Sequence, residues 1–221
     1  MKFAFASLGA VMLLSSSAAL AASSWPDTPQ GRLEAFAVLQ TLNAELLSHD
    51  SATLTLDRWC SSHKLAKEAK IVAERVRGQD KPVTEDIRRV LKVGPNEAVG
   101  YRRVRLKCGA VVLSDADNWY VPSRLTPEMN KVLDTTDGAF GRVVQPLHFQ
   151  RHTESAKLLW SPVPEGWDMG AAFPAASGKP LAVPDHVIEH KAILTLPDGA
   201  PISMVVESYT GRVLDFAPPG L

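Results

Sequence analysis

The chain has 221 residues, 24 basic against 24 acidic side chains, and a formal charge of zero. That balance supplies no global electrostatic attraction to nucleic acid or to an anionic membrane, so neither is expected as a partner. With 45% hydrophobic and 22% charged residues the composition is globular, and the length suits one domain or one domain with an insertion.

Lys2 precedes an apolar run over residues 3–14, and Ala19-Leu20-Ala21 offers a small-x-small cleavage site. This is the pattern of a secretory signal peptide over residues 1–21. The apolar core is about 12 residues, short of the ~20 that a spanning helix needs. No cysteine follows it, so no lipoprotein anchor is expected, and no later stretch reads as a span. A periplasmic or secreted location follows, with no membrane association after cleavage. In an oxidising compartment the two cysteines, Cys60 and Cys108, are expected to pair, two separately buried thiols being the alternative. Such a bond would contribute roughly 4 kcal/mol in the chain-entropy account.

Residues 22–31 carry Ser, Pro and Gly and read as a flexible N-terminus. From Arg32 the apolar residues Leu33, Phe36, Leu39, Leu42 and Leu46 recur at helical spacing. A second helix is expected to about Ala66, capped by Thr55 or a neighbour. Residues 71–76 form a short β-like run, Asp80-Lys81-Pro82 breaks it, and Thr84-Glu85-Asp86 opens a short helix. Residues 99–108 alternate as a strand, Gly109-Ala110 turns, and a second strand runs to Val121. A short helix starts around Pro127. Residues 140–147 read as a strand, and residues 148–159 as a strand end and a short helix. Residues 160–184, rich in Pro, Gly and Ala, read as a long loop or flap. Two last strands flank Pro197-Asp198-Gly199-Ala200-Pro201, a strong hairpin signal. Helices first and hairpin-linked strands afterwards predict an α+β fold with a mainly antiparallel sheet, its helices packed on one face.

The chemistry-bearing stretch is Arg102-Arg103-Val104-Arg105-Leu106-Lys107-Cys108, followed by Asn118 to Pro122 and Phe140-Gly141-Arg142. With the late acid Glu207 it describes a sheet with a cationic, anion-binding face. On strand alternation Arg103 and Arg105 share one face, Arg102 and Val104 the other. Trp59, Trp119 and Trp160 suit core or pocket walls rather than base stacking. His186 and His190 sit four apart in a strand-like run, too stretched for easy joint ligation, so no metal is expected. There is no Gly-x-Ser-x-Gly nucleophile context and no phosphate-binding glycine loop. No cofactor is expected.

Taken in order, several of these segments resemble the chorismate pyruvate-lyase family, whose fold is shared with the UTRA effector-binding domains of bacterial transcription regulators. The segments are residues 46–53, residues 101–108, Val121-Pro122, Phe140-Gly141-Arg142 and residues 193–207. The resemblance implies a chorismate lyase-like domain over residues 32–217, interrupted by an insertion at about 160–186. It implies Arg103 as the carboxylate-binding arginine and Glu207 as the catalytic acid. Phe140 falls where a backbone amide meets the ligand, and Gly141 and Arg142 continue that segment. Asn118 stands where the lyase has an arginine, which removes one cation near a dianionic ligand.

Two functions are expected on this basis. The first is an exported lyase that eliminates pyruvate from chorismate or a related enol ether, with Arg103 as the anion fork and Glu207 as acid or base. The second is a non-catalytic periplasmic module of the same fold that holds a small anionic or aromatic carboxylate. A monomer is expected in either case. Both readings need Arg103 and Glu207 in one pocket.

Overall fold

The computed structural model describes residues 24–218. The expected signal peptide, with Ala22 and Ser23, lies outside the described residues. The strands are β1 (Ile71–Val76), β2 (Gly100–Cys108), β3 (Val111–Tyr120), β4 (Gln150–Leu158), β5 (His186–Thr195) and β6 (Pro201–Thr210). They form a six-stranded sheet in the order β1-β2-β3-β6-β5-β4, with every neighbouring pair antiparallel. The helices are α1 (Pro29–Leu47), α2 (Ala52–Ser62), α3 (Glu85–Leu91), α4 (Pro127–Thr135) and the single turn α5 (Phe140–Val143). The fold is thus α+β with an antiparallel sheet, as the pattern of periodicities predicts.

Local chemistry fixes the helix starts. The Thr28 hydroxyl accepts the Gly31 amide at 3.0 Å, and Pro29 takes the first helical position, where its missing N–H costs nothing. Ala35, Leu39, Leu42 and Leu46 then bury one stripe of α1, each leucine contributing roughly 2 kcal/mol. Ser51 caps α2 through the Leu54 amide at 3.3 Å, four residues before the expected Thr55. Thr55 instead points inward, 2% exposed.

These two helices pack on one face of the sheet, against Ile71, Ala73, Val104, Leu106, Ala116, Ile188 and Tyr209. At the other end of the same face, α4 and α5 supply Leu133 and Phe140 to a second cluster with Tyr120, Phe149 and Leu194. A gap remains between the two groups of helices, and the candidate site lies there. The reverse face is not bare. Helix α3 packs Ile87 and Leu91 onto Trp119 and Met204. A disulfide joins Cys60 of α2 to Cys108 of β2, with an S–S distance of 2.01 Å. Both sulfurs belong to fully buried residues.

Three segments differ from the sequence expectation. Residues 24–31 are pinned rather than flexible. Trp25 is fully buried, its indole N–H donates to the Leu214 carbonyl at 2.8 Å, and its own carbonyl accepts the Leu181 amide at 2.7 Å. An indole is large enough to anchor such a segment by itself. Residues 140–147 form α5 and a 3-10 turn (Gln145–Leu147) instead of a strand. Pro146 has no N–H for a ladder, which disfavours the extended alternative. Residues 150–158 are one strand, β4, with no helix. It is the sheet's exposed edge, so its side chains lack the apolar alternation that marks a strand.

The long loop of residues 160–185 holds a 3-10 turn (Trp167–Met169) and an isolated antiparallel bridge from Pro180 to Pro26 before β5. It is seated by buried Val163 and Leu181, and its Pro162 carbonyl accepts Arg32 Nη1 at 2.9 Å. Among the described residues, no helix is long and apolar enough to cross a membrane.

Candidate functional site

Sheet register decides which side chains can meet. Arg102 of β2 lies opposite Asn118 of β3, which lies opposite Val205 of β6. The next row on the same face is Val104, Ala116, Glu207 and His190. One residue along β2, Arg103 lies opposite Asp117 and faces the other way. Arg102 and Glu207 therefore share the helix-covered face and Arg103 does not, so the expected pocket of Arg103 with Glu207 is not formed, and a site built on Glu207 has Arg102 as its arginine instead. Arg103 sits instead on a charged outer surface with Arg105, Lys107 and Asp115, where Asp117 is held by Lys81 and Tyr101 at 2.5 Å each.

Residues from both groups of helices close over the Arg102–Glu207 area. The cavity is lined by Asp50, Ser51, Ala52 and Thr53 at the start of α2, and by Phe140 and Gly141 of α5. Its floor is Arg102, Val104, Leu106, Ala116, Asn118, Val205 and Glu207, with Phe149, Arg151 and Leu194 at one end. The atom-free space out to the mouth is about 520 Å³, of which about 40 Å³ admits the centre of a water molecule. The site is a narrow slot, mostly apolar, with a few polar groups, as small-ligand sites commonly are.

Arg102 is 2% exposed. Its Nη1 and Nη2 donate to the carbonyls of Gly138 at 3.1 Å and Thr136 at 3.3 Å, just past the end of α4. No carboxylate lies within ion-pair distance of it among the described residues, and its Nε is buried without a hydrogen-bond partner. Burial pushes its pKa below the ordinary arginine value, as does the repulsion of nearby Arg75; Tyr120, Asp137 and Asp134 oppose this. Beside it, Asn118 is 4% exposed. Its Oδ1 accepts the Ser203 hydroxyl, and its Nδ2 is buried with no partner. Both residues line the cavity and each keeps a buried donor without a partner, as does Arg151 through its Nε; buried polar groups rarely have such unused capacity.

Glu207 is also buried, but it is fully engaged on one oxygen. Arg151 Nη2 donates to its Oε2 at 2.6 Å, and the Tyr209 hydroxyl donates to the same oxygen at 3.1 Å. Arg151 reaches Glu207 from β4 across β5, over the small side chain of Ala192. Burial, the largest single effect, would lower the Arg151 pKa; the Glu207 charge and hydrogen bond, with Tyr209 and Asp50, together outweigh it and raise the value. Burial, then the neighbouring Glu207 charge, push the Tyr209 hydroxyl well above the usual phenol range. His190 is fully buried at the back of the site, its Nε2 paired with Asn43 Oδ1 of α1 at 2.8 Å. Burial lowers its pKa, so it is neutral.

The other sequence candidates divide. Phe140 and Gly141 line the cavity. A Cβ on Gly141 would stand 3.0 Å from the Ser51 hydroxyl, so a glycine lets α5 approach the start of α2. Arg142 turns away. It pairs with Asp57 at 2.5 Å and with the Ile71 carbonyl at 3.2 Å, tying α5 to α2 and β1. His186 and His190 reach different partners, Asp115 and Asn43. Among the described residues no cluster of three His, Cys, Asp or Glu side chains is placed to hold a metal.

Arg102, Arg151 and Asp50 line the cavity without having been sequence candidates. Arg102 could have been found from strand alternation, since Val104, Leu106 and Cys108 mark its face as the apolar one. Arg151 had no signal, because β4 is mostly polar and carries no apolar alternation.

Fold and site together define an antiparallel α+β protein with a helix-roofed slot that carries, among the described residues, one buried cation without a counter-charge. The chain is 61% identical over 196 residues to "uncharacterized protein y4mC" of Sinorhizobium fredii (strain NBRC 101917 / NGR234), across 88% of this chain and 83% of that one, and belongs to the same family. No protein-family model matches it. Among solved structures it is similar to PhnF from Mycobacterium smegmatis, at 14% identity and a TM-score of 0.47, over 77% of this chain and 68% of that one. The effector domain of the same protein gives 14% identity and a TM-score of 0.46, over 74% and 90%. A GntR-family transcriptional regulator from Bacillus cereus gives 11% and 0.39, over 63% and 90%.

Proposed function

We propose that the protein is a binding module for a small anionic ligand, held without turnover. The anionic group sits against Arg102 and Asn118 under the first turn of α2. The observation that carries this is the state of Arg102. A buried guanidinium without a counter-charge is costly, because desolvation is not repaid by the backbone carbonyls alone. An anion arriving in the slot would repay it, through charge-assisted bonds to Nε and to Asn118 Nδ2. The start of α2 adds a favourable field at the same place. Export is part of the proposal: the first 21 residues support it, and a disulfide between Cys60 and Cys108 suits an oxidising compartment.

A lyase is the second reading, on the single observation that Glu207 lines the same cavity as Arg102. In that reading Glu207 would exchange a proton with substrate, yet its Oε2 is committed to Arg151 and Tyr209. The two readings separate in one experiment. The mature protein is titrated with benzoate by calorimetry and incubated with chorismate while 4-hydroxybenzoate is followed by absorbance. Saturable benzoate binding without product supports the module. Product formation from chorismate would replace it with the lyase, and absence of both benzoate binding and product would remove both.

A further inference from the structure

We infer that the ligand is a monoanion with an uncharged, apolar body, seated charge-inward, and that the slot rejects dianions. This deepens the binding reading above and rests on it. The inference comes from a count of the ionisable groups in the lining, which are Asp50, Arg102, Arg151 and Glu207. Arg151 and Glu207 cancel each other at 2.6 Å, with side chains 4% and 9% exposed. Arg102 is left as the single unmatched buried charge of the lining, so one negative charge neutralises the interior and a second finds no cation.

Asp50 sets the other end. It is exposed at the mouth, where its Oδ1 accepts the Arg151 backbone amide at 2.9 Å. A second carboxylate on the ligand would face this aspartate. Between the two ends the walls are apolar, with Val104, Phe140, Phe149 and Leu194 among them, which suits a body without charge. The inner end has the donors a carboxylate needs. Arg102 Nε and Asn118 Nδ2 are buried and unpartnered, and the α2 N-terminus lies beside them in an 11-residue helix. The slot's narrowness favours a carboxylate on a small or flat body.

The test uses matched probes on the mature protein at fixed ionic strength: propanoate against malonate, and benzoate against phthalate, by calorimetry. The expected result is at least tenfold tighter binding of each monoanion than of its dianionic partner. Two variants read the charge count. Asp50→Asn removes the charge at the mouth on an exposed residue, and Glu207→Gln releases Arg151. Each should narrow the gap, Glu207→Gln more strongly. Dianions that bind wild type as tightly as monoanions would overturn this inference while leaving anion binding intact. A gap unchanged in both variants would overturn the charge count as its cause. No binding of any of the four probes would overturn the binding reading itself.

Discussion

The Arg151–Glu207 pair gives the sharpest energetic prediction. Both side chains are at least nine-tenths buried and meet at 2.6 Å. Removing one partner leaves an uncompensated buried charge, which costs about 3–5 kcal/mol. Arg151→Met and Glu207→Leu should each lose that much. In Glu207→Leu the Tyr209 hydroxyl also loses its acceptor, adding about 1–3 kcal/mol. For a chain of this size 1 kcal/mol moves Tm by about 2–4 °C, so Arg151→Met should melt roughly 6–20 °C lower and Glu207→Leu roughly 8–32 °C lower. The double variant keeps no stranded charge and should recover most of the loss, retaining only the Tyr209 term. Urea denaturation of the four proteins, analysed as a double-mutant cycle, measures the coupling directly. Single variants that each cost under about 1 kcal/mol, or a double variant whose loss is the sum of the singles, would refute the reasoning that this pair is a closed, self-neutralising unit.

Three further predictions concern the scaffold. The Cys60–Cys108 bond closes a loop with a sequence separation of 48, so the Cys60→Ala, Cys108→Ala double variant should lose about 4 kcal/mol, measured by denaturant midpoint with and without reductant. His190 is neutral when folded, because burial lowers its pKa below 6.5. The unfolded chain therefore binds the extra proton first. Stability should be independent of His190 above about pH 6.5 and fall below it, by at most about 1.4 kcal/mol per pH unit. His190→Gln should flatten that slope in urea titrations at pH 5.5 and 7.5. Gly141→Ala brings a methyl to 3.0 Å from the Ser51 hydroxyl, so it should weaken benzoate binding by shifting the slot wall while costing about 1–3 kcal/mol of stability.

The legible parts of this chain were those where local chemistry and global packing agree. The β2–β3 and β5–β6 hairpins announced themselves through alternation and Gly- or Pro-bearing turns, and the antiparallel fold followed. The candidate site was legible by segment, and by residue only in part. Phe140, Gly141, Asn118 and Glu207 all line the slot, whereas resemblance pointed to Arg103 when strand phase pointed to Arg102. Because side chains alternate, an error of one residue moves an arginine to the opposite face of the sheet. The alternation of Val104, Leu106 and Cys108 was the better guide, since burial of those three fixes the phase. Arg142 looked functional by its place after Gly141, yet Asp57, 85 positions earlier, holds it elsewhere. Such a long-range ion pair leaves no local trace. Nor did β4, an edge strand whose exposed side chains carry no period, and whose Arg151 crosses a neighbouring strand to reach its partner. Trp25 did leave a trace: a tryptophan is expensive to leave in water, even in a segment otherwise of polar residues, proline and glycine.

The central claim is that Arg102, and not Arg103, is the anion-binding arginine. The most direct measurement is benzoate affinity by calorimetry for wild type, Arg102→Met and Arg103→Met, with folding checked by circular dichroism. Loss of a charge-assisted bond worth about 1.5–3 kcal/mol predicts at least tenfold weaker binding in Arg102→Met, with Arg103→Met unchanged. Loss of binding in Arg103→Met with Arg102→Met unaffected would contradict the account.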